Sequence, residues 1–154
     1  MKKNLLYRLF GIGGVPMKIR PVLEEEGIVL ADEGIAGTLV MRNIKGPGRR
    51  FIHRREGFLG CLLVTSRRLL ACSFGKRQIN IALDDPRLGD IYLRQTGFDR
   101  LAISFEAAHF REGWQGVMEF RFKTEKASDF NDKLLSLGLS KGTAPDREEN
   151  EEDG

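Results

Sequence analysis

The chain has 154 residues, 41% of them hydrophobic and 31% charged, which suits one domain with an apolar core and short extensions. No apolar run approaches the roughly 18 residues of a membrane-spanning helix, and two cysteines are too few for a disulfide framework and suit a reducing, cytoplasmic setting. The net charge of +3 conceals two opposed blocks: residues 146–154 carry six acids and one arginine, while residues 42–77 carry ten Lys or Arg and a single acid, Glu56.

Met1-Lys2-Lys3 resembles the basic start of a signal peptide, but Arg8 interrupts the apolar stretch behind it and Gly11 ends it. Leu5, Leu6, Leu9 and Phe10 share a face over residues 1–12, a pattern compatible with a short amphipathic helix, packed on the domain or lying at a membrane surface. Residues 1–26 are read as an N-terminal extension. From 27 to 123 the chain is a series of short β-like runs, at 28–30, 36–44, 49–55, 58–65, 68–74, 78–83, 91–94, 100–105 and 117–123. Gly46-Pro47-Gly48 and Asp84-Asp85-Pro86 are turn signals between runs. The run at 58–65 is almost continuously apolar, which predicts a buried strand. The run at 117–123 sets Met118, Phe120 and Phe122 on one face against Val117, Glu119 and Arg121 on the other.

The period then changes. Ala127, Phe130, Leu134 and Leu137 form one helical stripe, which predicts a helix over 125–137 with Thr124 as N-cap and Gly138 just past its end. Residues 139–154 carry no apolar period and end in the acidic block, so they are read as a disordered acidic tail. The expectation is a mainly β domain over 27–138: a small antiparallel barrel or sandwich of about seven strands capped by one C-terminal helix.

The segment Leu62-Leu63-Val64-Thr65-Ser66-Arg67-Arg68-Leu69-Leu70-Ala71 reads as strand, turn and strand. With Ile79-x-Ile81-x-Leu83, the Asp84-Asp85-Pro86 bend, the runs at 100–105 and 117–123 and the final helix, it resembles the pleckstrin-homology superfold, in particular a GRAM-like domain, over roughly 27–137. The resemblance implies a non-catalytic module that binds phosphoinositides, anionic membranes or proteins. Fold alone does not assign function.

The residues offer little chemistry for catalysis. Gly11-Ile12-Gly13-Gly14 lacks the strand and the Gly-Lys-Ser/Thr of a phosphate-binding loop. Glu106, His109 and Glu112 are spaced for one helical face, but Gly113 and the flanking strands make this a hairpin loop rather than a metal site. Cys61 and Cys72 sit in apolar runs and read as core thiols, and Asp84-Asp85 reads as a turn rather than an acid–base pair. Trp114, between Gly113 and Gln115-Gly116, is expected at a loop tip, packed on its own hairpin or entering a membrane interface. Neither catalytic residue nor cofactor nor metal is expected.

The basic block carries the functional expectation. Arg42, Lys45, Arg49, Arg50, Arg54 and Arg55 flank the Gly46-Pro47-Gly48 turn, so a hairpin there would gather guanidinium groups at one edge of the sheet; Arg67 and Arg68, then Lys76 and Arg77, stand at further turns. Arginine grips phosphate or carboxylate with two parallel hydrogen bonds. The leading partner is an anionic membrane or phospholipid headgroup, engaged by Arg49, Arg50, Arg54 and Arg55 with Arg67 and Arg68 second, which makes the protein cytoplasmic and peripheral at the membrane. The alternative is an assembly domain, including a homo-oligomer, that binds an acidic protein. Solvated charges guarding a strand edge are the bland reading. Nucleic acid is the weaker one, because Phe51 is the clear aromatic among the arginines, with Phe58 at their edge, which is little for base stacking. The acidic tail is expected to fold back over the basic patch and compete with an anionic partner, or simply to solubilise.

Overall fold

The computed structural model describes residues 13–145. Its elements are a short helix α1 (Arg20–Glu26), strands β1 (Ile28–Gly46), β2 (Arg49–Thr65), β3 (Arg68–Ser73), β4 (Lys76–Ala82), β5 (Tyr92–Gly97), β6 (Arg100–Glu106) and β7 (Gln115–Lys123), a helix α2 (Ala127–Leu137) and a two-residue strand β8 (Ser140–Lys141). The strands form one curled sheet in the order β4-β3-β2-β1-β7-β6-β5-β8. All pairings are antiparallel except β5 with β8. The mainly β fold with a helix after the last long strand is as expected; the helix expected over 1–12 lies outside the described residues.

Two pairs of expected runs merge. Residues 28–30 and 36–44 become the single 19-residue β1, and 49–55 and 58–65 become the 17-residue β2. Gly34, at φ 66°, takes the left-handed conformation at a register shift between Glu33 and Ile35, so the strand continues through a bulge instead of ending there. Pro47-Gly48 is the two-residue connection of this long hairpin, with Gly46 paired to Arg49.

Side chains alternate across the sheet, and its β2–β3 part is covered on both faces. The inner face holds the main core, including Leu39, Met41, Leu62, Val64, Leu93, Ile103, Met118 and Phe120. The rings of Phe58, Phe105, Phe120 and Phe122 meet there, Phe58 edge-on to Phe120 at 5.8 Å and to Phe122 at 5.6 Å. Helix α2 adds Ala127, Phe130 and Leu134 to the same core. It begins two residues later than expected: Thr124 lies just ahead of the cap position, where its hydroxyl oxygen accepts from Lys126 N (3.1 Å) and its carbonyl from Ala127 N (3.2 Å). Gly138 ends the helix in a left-handed conformation, its N–H donating to the carbonyls of Leu134 and Leu135.

A second, smaller core lies on the opposite face, where Val15 and Leu23 cover Cys61, Leu63, Leu70 and Cys72. Residues 13–26, read from the sequence as an extension, thus form a cover. Polar contacts hold it. The Val15 amide and the Arg20 guanidinium both donate to Glu33 Oε1, at 2.7 and 2.5 Å. Arg68 Nε donates to Glu26 Oε1 at 2.9 Å, and the Thr65 hydroxyl donates to Glu26 Oε2 at 2.8 Å. Cys61 and Cys72 are both buried and unoxidised, directly opposite one another on β2 and β3. The hydrogen bond between them and then burial push the Cys61 thiol far above its ordinary range, while the same hydrogen bond lowers Cys72.

The chain beyond α2 is also held. Leu139 is buried in the main core, Ser140 and Gly142 donate backbone hydrogen bonds to Ile91 and Leu93, and the Ala144 amide donates to Ser104 Oγ at 2.9 Å. The run expected to be disordered from 139 is therefore pinned to the sheet as far as Ala144. Residues 146–154 lie outside the described residues.

Candidate anion-binding surfaces

The exposed basic side chains follow from where β3 stops. Strand β3 pairs with β2 only over Gly60–Val64, so among the described residues the 49–58 stretch of β2 has β1 on one side and no strand on the other. Arg49, Arg50, Ile52, His53, Arg54, Arg55 and Glu56 are all exposed on this arm, and Ile52, at 81% exposure, stands among the arginines. Arg42 and Lys45 are half-buried on β1, opposite His53 and Arg50. Arg54 pairs with Glu56 at 2.8 Å and lies 5.5 Å from the Phe51 ring. Phe51 itself turns onto the main core and anchors the arm.

Arg67 and Arg68 do not join this cluster. They follow the far end of the 17-residue β2, and Arg68 is engaged by Glu26 and Asn80. That pairing, first through the Arg68 hydrogen bonds, holds the Glu26 carboxyl below its ordinary pKa. The six basic residues expected around the Gly46-Pro47-Gly48 turn lie on the arm, and Arg67 and Arg68, expected at a further turn, lie beyond the other end of β2, where Arg68 is held by Glu26.

Trp114 is half-buried rather than at an exposed tip. Its ring lies over the end of the β1–β2 hairpin, so close that a Cβ at Gly46 would come within 2.6 Å of it. Arg111, with its guanidinium 5.2 Å from the ring centroid, donates to Gln78 Oε1 at 2.8 Å. Burial first and then the nearby positive charge of Arg49 lower the Arg111 pKa. The loop after β6 thus ties the tip of the arm to β4. His109 in the same loop contacts the Arg87 carbonyl oxygen through Nε2 at 3.1 Å, and among the described residues no three His, Cys, Asp or Glu side chains come together as metal ligands.

A second basic surface lies on the outward face of β1, β7, β6 and β5. Thr38 pairs with Arg121, Arg121 with Ala102, and Ala102 with Arg94; one row along, Lys123 pairs with Arg100. With Arg55 from the arm, these side chains line a groove of about 420 Å³ that contains five cations and no acid. Beneath it Glu119, 1% exposed, accepts from Arg121 Nε at 2.6 Å and from Arg94 at 3.4 Å. One buried carboxylate thus orients two guanidinium groups, while Arg55 and Lys123 have no carboxylate in ion-pair range among the described residues. Sequence reasoning placed Glu119 and Arg121 on the face opposite Met118, Phe120 and Phe122 but missed the groove. Arg94, Arg100 and Lys123 are isolated charges in the chain until β5, β6 and β7 are known to be neighbours.

No family model and no curated protein matches the chain. Among the described residues no helix is long and apolar enough to cross a membrane.

Proposed function

We propose that the chain is a non-catalytic binding module of the pleckstrin-homology/GRAM-like kind, whose β1–β2 arm engages an anionic membrane surface in the cytoplasm. The observation that carries this reading is the composition of the stretch of β2 that, among the described residues, has only β1 beside it, where Arg49, Arg50, Arg54 and Arg55 surround the exposed Ile52. Guanidinium groups grip headgroup phosphates in bidentate fashion, and an apolar side chain among them can enter the interfacial layer. Each basic residue near such a surface contributes about 1 kcal/mol, less at high salt. The meander of antiparallel strands followed by α2 supports the family resemblance.

Co-sedimentation at about 0.15 M salt, with neutral against phosphatidylserine-containing vesicles, tests the proposal. Binding is expected only to the anionic vesicles, and Arg49→Glu/Arg50→Glu should weaken it by more than about tenfold. Equal binding to both vesicle types, or no binding, would overturn it.

A second reading rests on the same stretch of backbone. An edge without a strand partner can accept a strand from an acidic protein or from a second copy of the chain. In that case the charge-reversed variant would lose a protein complex, or a dimer seen by light scattering, instead of vesicle binding.

A further inference from the structure

The groove on the outward face has an occupant at hand. Ser104, which holds the Ala144 amide, lies on β6 directly opposite Glu119 of β7 and Tyr92 of β5. Two residues along β6 on the same face is Ala102, flanked by Arg121 and Arg94 of the groove. The main chain is therefore delivered, at the buried Ala144, to a point about 7 Å from the groove's near end. The residues that follow are Asp146, Arg147, Glu148, Glu149, Asn150, Glu151, Glu152, Asp153 and Gly154, a net charge of −5.

We propose that this groove is a binding site for an acidic peptide segment, and that its occupant is residues 146–154 of the same chain. Reach is sufficient. Nine extended residues span about 30 Å. From Ser104 to the level of Arg100 is about 13 Å along β6, and from β6 to Arg55 on β2 is about 14 Å across three strand spacings. Charge matches as well, with five cations and no acid facing a segment with six acids. Carboxylates suit the donors present: Arg94 and Arg121 are already oriented from below by Glu119, and Arg94 Nε–H is a buried donor without an acceptor among the described residues. The short tether gives an effective concentration of order millimolar, so a weak intrinsic affinity is enough for occupancy. An occupied groove takes Arg55 from the arm and lays net negative charge beside it. Docking thereby opposes any anionic partner of the arm, and an acidic protein that fits the groove better would release the segment. The inference stands whether or not that partner is a membrane.

Nuclear magnetic resonance of the full chain tests this without any partner. Wild type is compared with Glu148→Gln/Glu149→Gln/Glu151→Gln/Glu152→Gln, which keeps length and removes four charges. The expected result is a set of backbone and Arg Nε–H shift differences confined to Thr38, Arg55, Arg94, Arg100, Arg121 and Lys123. These differences should collapse when salt is raised from about 0.02 to 0.5 M. They should also be absent in an Arg100→Glu/Lys123→Glu background; both side chains are exposed, so that background folds normally. No shift differences in the groove, or differences centred on Arg49 and Arg50 instead, would overturn the proposal. Failure of vesicle binding would leave it intact.

Discussion

The two halves of β2 are one continuous strand with opposite fates. From Phe58 to Thr65 every residue is buried, whereas from Arg49 to Gly57 all but Phe51 are exposed. Both halves pair with β1 on one side, but only the first also pairs with β3, over Gly60–Val64. The difference lies in what covers them: β3, the main core and residues 13–26 enclose the first, and a single ring anchors the second. Among the described residues the second half has one hydrogen-bonded neighbour and no covering layer, so it can carry five basic or titratable side chains in a row of seven, each still exposed to water.

The sharpest way to break this comparison is to truncate a side chain in each half. Leu62→Ala removes a side chain with no exposed surface and is expected to cost about 2–5 kcal/mol in urea unfolding. Ile52→Ala should change stability by no more than about 0.5 kcal/mol. Equal effects would mean that the arm is packed in solution.

Glycines sharpen it further. At Gly60 the β2 backbone runs so close to β3 that a Cβ would lie 1.9 Å from the Cys72 carbonyl oxygen. Gly60→Ala should therefore cost about 1–3 kcal/mol. At Gly57, three residues away, the nearest atom to an added Cβ is a backbone oxygen at 4.0 Å. There the same substitution should be neutral or stabilising by up to about 1 kcal/mol, through the unfolded chain.

A loss smaller than those at Leu62 and Gly60 concerns the cover. Glu26→Gln removes the carboxylate that holds Arg68 and Thr65, with an expected loss of about 1–2 kcal/mol at neutral pH. The Glu26 pKa is lowered in the folded state from an ordinary 4.5. Its stabilisation is thus fully present above that value and fades as pH falls through the folded pKa. The gap between wild type and variant in thermal melts should accordingly narrow in acid below about pH 4.5. A gap that widened there would contradict the ion pair.

Local signals in the chain carried much of this. Alternation at 117–123, the stripe at Ala127, Phe130 and Leu134, and Gly138 led to β7 and α2 because period and capping are properties of neighbouring residues. The turn at Gly46-Pro47-Gly48 was legible for the same reason. Helix α1 was not: its seven residues offer one buried side chain, Leu23, and its start rests on Pro21 rather than on a capping side chain. Nor was the fate of Arg68, which depends on Glu26 lying across the turn. The groove was hidden for a similar reason, since Arg94, Arg100, Arg121 and Lys123 become neighbours only through the β5–β6–β7 pairing. Trp114 was misplaced because its partner, Gly46, belongs to a different hairpin.

The position of β1 in the sheet also bears on how the chain is made. One edge of β1 pairs with the next strand in sequence, but the other pairs with β7, Gly37 opposite Phe122. A nascent chain leaving the ribosome can form the β1–β2 hairpin early, yet Leu39 and Met41 then face water until β7 has been synthesised. Closure waits on a contact between residues far apart in the chain, the kind that slows folding and leaves an intermediate with an open, apolar sheet edge. The arginines of β2 sit on that same intermediate, where their mutual repulsion would discourage the hairpins of two nascent chains from pairing with each other.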